Sequence, residues 1–234
     1  MVRQDRLLLD QVDRWIYDEV RPYLGQRILE AGCGLGNFAR YLMDRELYVG
    51  IDVFPGSVAH VEETYRLQPN VRAFVGDVTS DEFLAFSRFR IDTVVSINVL
   101  EHIEDHVGAF QNMCEVLQPG GRLALVVPAH RRLYGSMDRA IGHRRRYDKP
   151  AMGQLIENAG LRCEVLKYLN AAGALGWCLN GQFRHRETPP SAQLRFFNRF
   201  VPALKALERV VPPPFGVSLV AVAFKPTGYR KERP

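Results

Sequence analysis

Ile28-Leu29-Glu30-Ala31-Gly32-Cys33-Gly34-Leu35-Gly36 runs an apolar stretch into an acid and then places glycine at every second position. This pattern predicts a strand ending at Glu30 and a tight turn in which Gly32, Gly34 and Gly36 bring the backbone close to a ligand without Cβ clashes. A helix is expected to begin over Asn37-Phe38-Ala39-Arg40-Tyr41-Leu42. Dinucleotide-binding turns show G-x-G-x-x-G, and Asn37 breaks that spacing here. An acid at the turn entrance suits a ligand with an ammonium group better than a pyrophosphate.

Three further apolar runs end in polar groups. Tyr48-Val49-Gly50-Ile51-Asp52 closes 16 residues after Gly36, the separation of a βαβ unit. Val71 to Asp77 ends in a second aspartate, and Ile91 to Asn98 ends in an amide before Val99-Leu100-Glu101-His102-Ile103. In an open parallel sheet the ligand lies beyond the carboxyl ends of the strands, so four such ends can converge on one edge. Asp52 there can accept both hydroxyls of a ribose.

As a set these residues resemble the class I S-adenosylmethionine-dependent methyltransferases, over about residues 25–128. The resemblance implies an α/β Rossmann-like fold: a seven-stranded, mostly parallel sheet with an antiparallel edge strand, in three α/β/α layers. It implies S-adenosylmethionine as cofactor, its methionine end wrapped by Glu30, Gly32, Gly34 and Gly36, its ribose held by Asp52 with Val53 alongside, and its adenine framed by Asp77 and Val78. Asn98 to Ile103 and Leu117-Gln118-Pro119-Gly120-Gly121 look like the small-molecule branch, which adds Asn98 and His102 to the cofactor set. Cys33 between glycines is a mild departure.

A chain of 234 residues with 47% hydrophobic content suits one domain with a modest elaboration. Cysteines 33, 114, 163 and 178 show no metal-ligand spacing, so neither a zinc site nor a disulfide framework is indicated, and no metal is expected. The first residues lack the organisation of a signal peptide, and no apolar run is long enough to span a bilayer. A cytoplasmic protein is the expectation, with contact at a membrane surface open and no obligate protein partner evident.

The chain divides into an N-terminal helical segment, 1–24, with a helix at about Leu7 to Tyr23; alternating strands and helices to about residue 127; a basic loop, 128–150; a helix at about Ala151 to Ala159; and a sixth strand near Arg162 to Leu169. Val217 to Phe224 reads as the seventh strand, and the roughly 45 residues before it are too many for a hairpin. That insertion, 171–214, is read as a helical lid containing Trp177 and an amphipathic helix from Ser191 to Val210. Leu194, Phe197, Val201, Leu204 and Leu207 or Glu208 form its apolar stripe. The same stripe also fits ordinary core packing.

Between Arg131 and Lys149 seven Lys/Arg and two Asp give +5, equal to the formal charge of the whole chain. This loop follows the fifth strand, where a methyl acceptor would sit, and its charge favours an acceptor with an anionic group. Arg144, Arg145, Tyr147 and Trp177 are the candidate substrate-binding residues. For the proton lost by the acceptor, His130 and then His143 are the candidate bases, with Tyr134 beside them and His102 third. Positioning dominates such a displacement, with the acceptor held about 3 Å from the methyl carbon. O-methylation of a small-molecule or lipid-linked acceptor is the favoured reading. Two others stay open: a nucleic-acid methyltransferase, opposed by Asn98-Val99-Leu100-Glu101 where base methylases carry N/D-P-P-Y/F, and a noncatalytic cofactor-binding protein at a membrane surface.

Overall fold

The computed structural model describes residues 10–228. Residues 1–9 and 229–234 lie outside them, and with them Leu7 to Leu9 of the expected opening helix. Seven strands form one sheet: β1 (Arg27–Ala31), β2 (Leu47–Asp52), β3 (Val71–Val75), β4 (Ile91–Ile97), β5 (Leu117–Pro128), β6 (Arg162–Leu169) and β7 (Ser218–Phe224), in the order β3-β2-β1-β4-β5-β7-β6. β1 to β5 run parallel, and β7 is antiparallel to both β5 and β6. The chain winds outward in both directions from the β1/β4 pair, which makes that pair the topological switch point where a crevice opens.

Alternate residues of each strand feed opposite faces. Leu29, Val49, Val94 and Leu125 pack under α3 (His106–Val116) and α5 (Lys149–Asn158), whose Phe110, Met113, Met152 and Ile156 are buried against them. Ile28, Tyr48, Val95 and Val126 face Trp15, Ile16 and Val20 of α1 (Asp10–Val20), Val58 and Val61 of α2 (Pro55–Thr64), and Val201 of α7 (Ser191–Val210). Both faces are therefore covered, and the central strands read as near-continuous apolar runs, Leu123 to Val127 and Leu219 to Ala223.

In its strands and loops the structure departs from expectation at three points. After Gly36 there is no α-helix, only a 3₁₀ turn over Ala39–Tyr41, because Phe38 and Leu42 are buried and the segment must return to β2 at Leu47 within a few residues. β5 begins at Leu117 rather than Arg122, since Leu117 already pairs with Ile91 before a register shift. The basic loop is partly ordered, with a 3₁₀ turn over Arg131–Leu133 and a short helix, α4 (Ser136–Ala140).

Within the insertion, α6 (Ala171–Trp177) runs into a π-helical turn over Cys178–Phe183, and α7 occupies the expected span. α7 starts directly after Pro189-Pro190 and stops before Pro212, where the chain cannot continue a helix. Its Glu208 turns inward and accepts the N–H groups of Asn170 (2.9 Å) and Ala171 (2.8 Å), satisfying the start of α6. Lys205 pairs with Asp18 of α1. Of the two residues that could end the inner stripe of α7, Glu208 takes the place: Phe197, Val201 and Leu204 pack on the core, residue 208 comes round to the inner side and Leu207 is exposed.

Candidate active site

Glu30, Asp52, Asp77 and Asn98 follow or close four adjacent strands, so the fold brings them to one edge. Gly32, Gly34 and Gly36 all adopt positive φ (81°, 52° and 74°). At Gly32 a Cβ would also stand 2.3 Å from Val99 Cγ2, so glycine is required twice over. The turn hangs on β2: the N–H groups of Gly32 and Cys33 donate to Ile51 O (2.7 and 3.0 Å), and that of Gly34 donates to Asp52 Oδ2 (2.8 Å). Asp52 Oδ1 accepts the N–H of Phe54 at 3.0 Å. A carboxylate has about four lone-pair sites, so after these bonds about two remain for a ligand.

Glu30 is buried and takes a 2.5 Å hydrogen bond from the Tyr48 hydroxyl. Burial raises its pKa to about 8, against the Tyr48 bond and with help from Asp52. A cation placed beside it would restore the ionised form. Val53 and Phe54 are exposed apolar side chains just beyond Asp52. Asp77 folds back onto Thr79 N (2.8 Å) and Oγ1 (2.7 Å), while Val78 is buried in the core. Asn98 is exposed, with a left-handed φ of 53°. His102 is exposed, its Nδ1 3.1 Å from Gly142 O, and burial of part of its ring together with His143 lowers its pKa.

Beyond β5 the loop is organised by Asp138, which is fully buried. Its Oδ1 lies 2.9 Å from His143 Nδ1 and accepts from Arg146 Nε at 2.7 Å. Its Oδ2 accepts from Gly135 N (2.9 Å) and Trp177 Nε1 (3.1 Å). Arg146 is also buried, donates to Ala129 O at 2.9 Å and lies over the Trp177 ring. Its guanidinium and the bonds from His143 and Trp177 hold the Asp138 carboxyl below the usual range despite burial. With Nδ1 engaged, His143 presents Nε2 to Glu101 Oε1 at 3.6 Å. Glu101 is completely buried with, among the described residues, no hydrogen-bond partner for either oxygen, and desolvation raises its pKa to about 8.

His130 sits apart from that network. It adopts a left-handed φ of 62° at the end of β5, its ring lies 4.3 Å from that of Tyr168, Nδ1 faces Asp148 at 3.7 Å and Nε2 accepts weakly from Gly216 N at 3.4 Å. Such backbone strain collects at functional positions. Tyr134 donates its hydroxyl to His143 O at 2.9 Å. A cleft of about 540 Å³ opens here, lined by His106, Arg131, Tyr134, Arg144, Arg145 and Tyr147 among others. Arg144 reaches His102 O and Glu104, Arg145 reaches Glu104 O, and Tyr147 is buried with its hydroxyl on Leu100 O and near His106. Trp177 does not line the cleft. Among the described residues, Glu101, His102 and His143 could hold a metal ion, with ligand atoms within 4.8 Å of one another.

A family model described as a methyltransferase domain matches residues 4–166. The chain belongs to the class I S-adenosylmethionine-dependent methyltransferase family. Over 153 residues this family member is 29% identical to a Mycolicibacterium smegmatis protein named "Probable S-adenosylmethionine-dependent methyltransferase", covering 64% of this chain and 57% of the relative. Over 110 residues it is 28% identical to the ubiquinone biosynthesis O-methyltransferase of Aeromonas salmonicida, covering 47% of this chain and 46% of the relative. The chain thus spans about half the length of the curated relatives it matches. Its fold is similar to that of magnesium protoporphyrin IX methyltransferase from Synechocystis, solved with S-adenosylhomocysteine, at a TM-score of 0.59 and 14% identity, over 96% of this chain and 87% of that one.

Sequence reasoning passed over Tyr48, Glu101, Asp138 and Arg146 as site residues. Asp138 carried a local signal, since Gly135-x-x-Asp138 has the spacing by which an N3 acid caps a helix start. Two of the family member's buried acids, Asp138 and Glu101, should respond oppositely to substitution. Asp138→Ala leaves Arg146 as an uncompensated buried cation and should cost about 3–5 kcal/mol in urea unfolding. Glu101 keeps its proton to about pH 8 in the fold but only to about 4.5 when unfolded, so it drains stability as pH rises between those values. Glu101→Gln should therefore match the wild type in unfolding midpoint at pH 4 and exceed it at pH 9; an equal or lower midpoint at pH 9 would contradict the assigned burial.

Proposed function

We propose that this chain binds S-adenosylmethionine at the glycine turn and methylates an oxygen of a small-molecule or lipid-like acceptor carrying an anionic group. The observation that carries the cofactor half is the pairing of Gly34 with Asp52 over a buried, uncompensated Glu30. The residues fit that ligand: among the described residues no cation pairs with Glu30, Asp52 keeps lone pairs for ribose hydroxyls, and Gly32, Gly34 and Gly36 let the turn present bare backbone. When bound, the cofactor supplies an electrophilic methyl group on a sulfonium.

The chain's own residues do the rest. Arg131, Arg144 and Arg145 around the cleft attract and orient the acceptor's anionic group. Asp138 fixes His143 with its proton on Nδ1, which leaves Nε2, facing Glu101 at 3.6 Å, as the nitrogen that takes the acceptor's proton. His130, whose two nitrogens are only loosely engaged, is the second base in this reading. Asn98 and His102 flank the crossing point between cofactor and acceptor, and Tyr134 steadies the His143 backbone. The O-methyltransferase name of the Aeromonas relative supports the choice of oxygen.

Incubation with methyl-labelled S-adenosylmethionine and fractionated cell extract should place label in an anionic, organic-extractable product on an ether or ester oxygen, and His143→Ala should slow its formation while sparing cofactor affinity. Label appearing only in RNA, or on nitrogen, would overturn the acceptor assignment. Cofactor binding should also release protons. Below pH 8 Glu30 is mostly protonated in the free protein and must ionise to meet an ammonium, so affinity rises with pH toward about 8 and falls once the ligand's own amino group, with a pKa of about 8, loses its proton. Calorimetry at pH 7 in buffers of different ionisation enthalpy should show release approaching one proton; no buffer dependence would remove Glu30 from the cofactor site.

A further inference from the structure

α7 carries two apolar stripes. The inner one packs on the core; the outer one, Phe196, Phe200, Ala203, Leu207 and Val210, advances in alternating steps of four and three residues and is exposed throughout. Phe196 is 68% exposed and Leu207 61%, and the rings of Phe196 and Phe200 touch each other at 4.8 Å. Leu175, Leu179 and Phe183 lie at steps of four along the preceding helical segment and are exposed as well, Phe183 at 75%. Asn180 donates to Gln193 at 3.1 Å, so the two segments adjoin. A helix apolar on both sides, with its exposed apolar residues gathered in one stripe beside those of the adjoining segment, marks a face that meets something other than water.

Charge selects the partner. Residues 171–214 hold six Lys/Arg and only two acids, Glu187 and Glu208. Glu208 is spent on backbone N–H groups of Asn170 and Ala171, and Lys205 pairs with Asp18. Arg195, Arg199 and Arg209 remain exposed beside the outer stripe. Pairing this stripe with a second copy of itself would set arginine against arginine, whereas an anionic lipid surface offers acyl chains to the rings and phosphates to the guanidinium groups.

We propose that the outer face of this insertion docks on an anionic lipid bilayer, with α7 lying in the headgroup plane and Phe196, Phe200 and Leu207 seated at the acyl boundary. The same insertion reaches the acceptor loop through Trp177, which donates to Asp138. Docking therefore sets the loop beside the membrane, and the acceptor is an amphiphile with an anionic head drawn from it. That last step rests on the methyl-transfer reading; the docking does not.

Flotation of the purified full chain with vesicles tests it. The chain should float with phosphatidylcholine–phosphatidylglycerol vesicles, not with phosphatidylcholine alone, and high salt should release it. Phe196→Ser with Phe200→Ser, and separately Arg195→Glu with Arg199→Glu, should each lower the bound fraction about tenfold or more, with circular dichroism and S-adenosylhomocysteine affinity unchanged because these side chains are exposed. No flotation of the wild type, equal flotation with neutral vesicles, or a wild-type dimer in light scattering that the phenylalanine variant converts to monomer would overturn the proposal. Flotation without cofactor uptake would leave docking standing and sink the methyl-transfer reading alone.

Discussion

The hydrogen bond from Gly34 N to the Asp52 carboxylate is the constraint on which the site depends. It joins the glycine turn after β1 to the end of β2, two strands that pair in register from Arg27 with Leu47 to Ala31 with Ile51. Because one carboxylate braces both Gly34 and Phe54, the turn is shaped before any ligand arrives. Beneath it Glu30 is held by Tyr48 in a place where its charge is costly. A cationic amino-acid group placed beside Glu30 would offset that cost, which would give the proposed cofactor site a physical reason for selectivity and not merely for fit.

A second buried acid governs the other half. Asp138 gathers His143, Arg146, Trp177 and the Gly135 amide, joining the basic loop to the insertion. Its charge is balanced by Arg146, whereas Glu101 nearby is not balanced and keeps its proton. The two acids lie on either side of one imidazole and differ in protonation, an arrangement that separates a group holding the histidine in position from one able to exchange a proton with it. The arginines of the loop differ in burial: Arg146 is buried on Asp138 while still lining the cleft, and Arg131, Arg144 and Arg145 line the same cleft from more accessible positions.

Much of the sheet was legible in the sequence because its signals are local. Apolar runs ending in Glu30, Asp52, Asp77 and Asn98 give strand ends directly, and Pro189-Pro190 and Pro212 bracket α7. The expected helix after Gly36 did not form, since burial of Phe38 and Leu42 and the early return to β2 outweigh local propensity. Asp138 was invisible as a hub because Trp177 lies 39 residues away and meets it only through tertiary closure. The outer stripe of α7 was missed for a related reason: periodicity finds an apolar face but does not say which side the core takes, and it left Leu207 and Glu208 as alternatives for the last inner position, which Glu208 fills.

The most direct measurement is a crystal structure of the chain with S-adenosylhomocysteine. The account predicts the ribose hydroxyls on the Asp52 carboxylate, the ligand's amino group in the surroundings of Glu30, and the homocysteine portion along Gly32 to Gly36. A nucleoside found elsewhere in the molecule, or Asp52 and the glycine turn left without contact to it, would contradict that account.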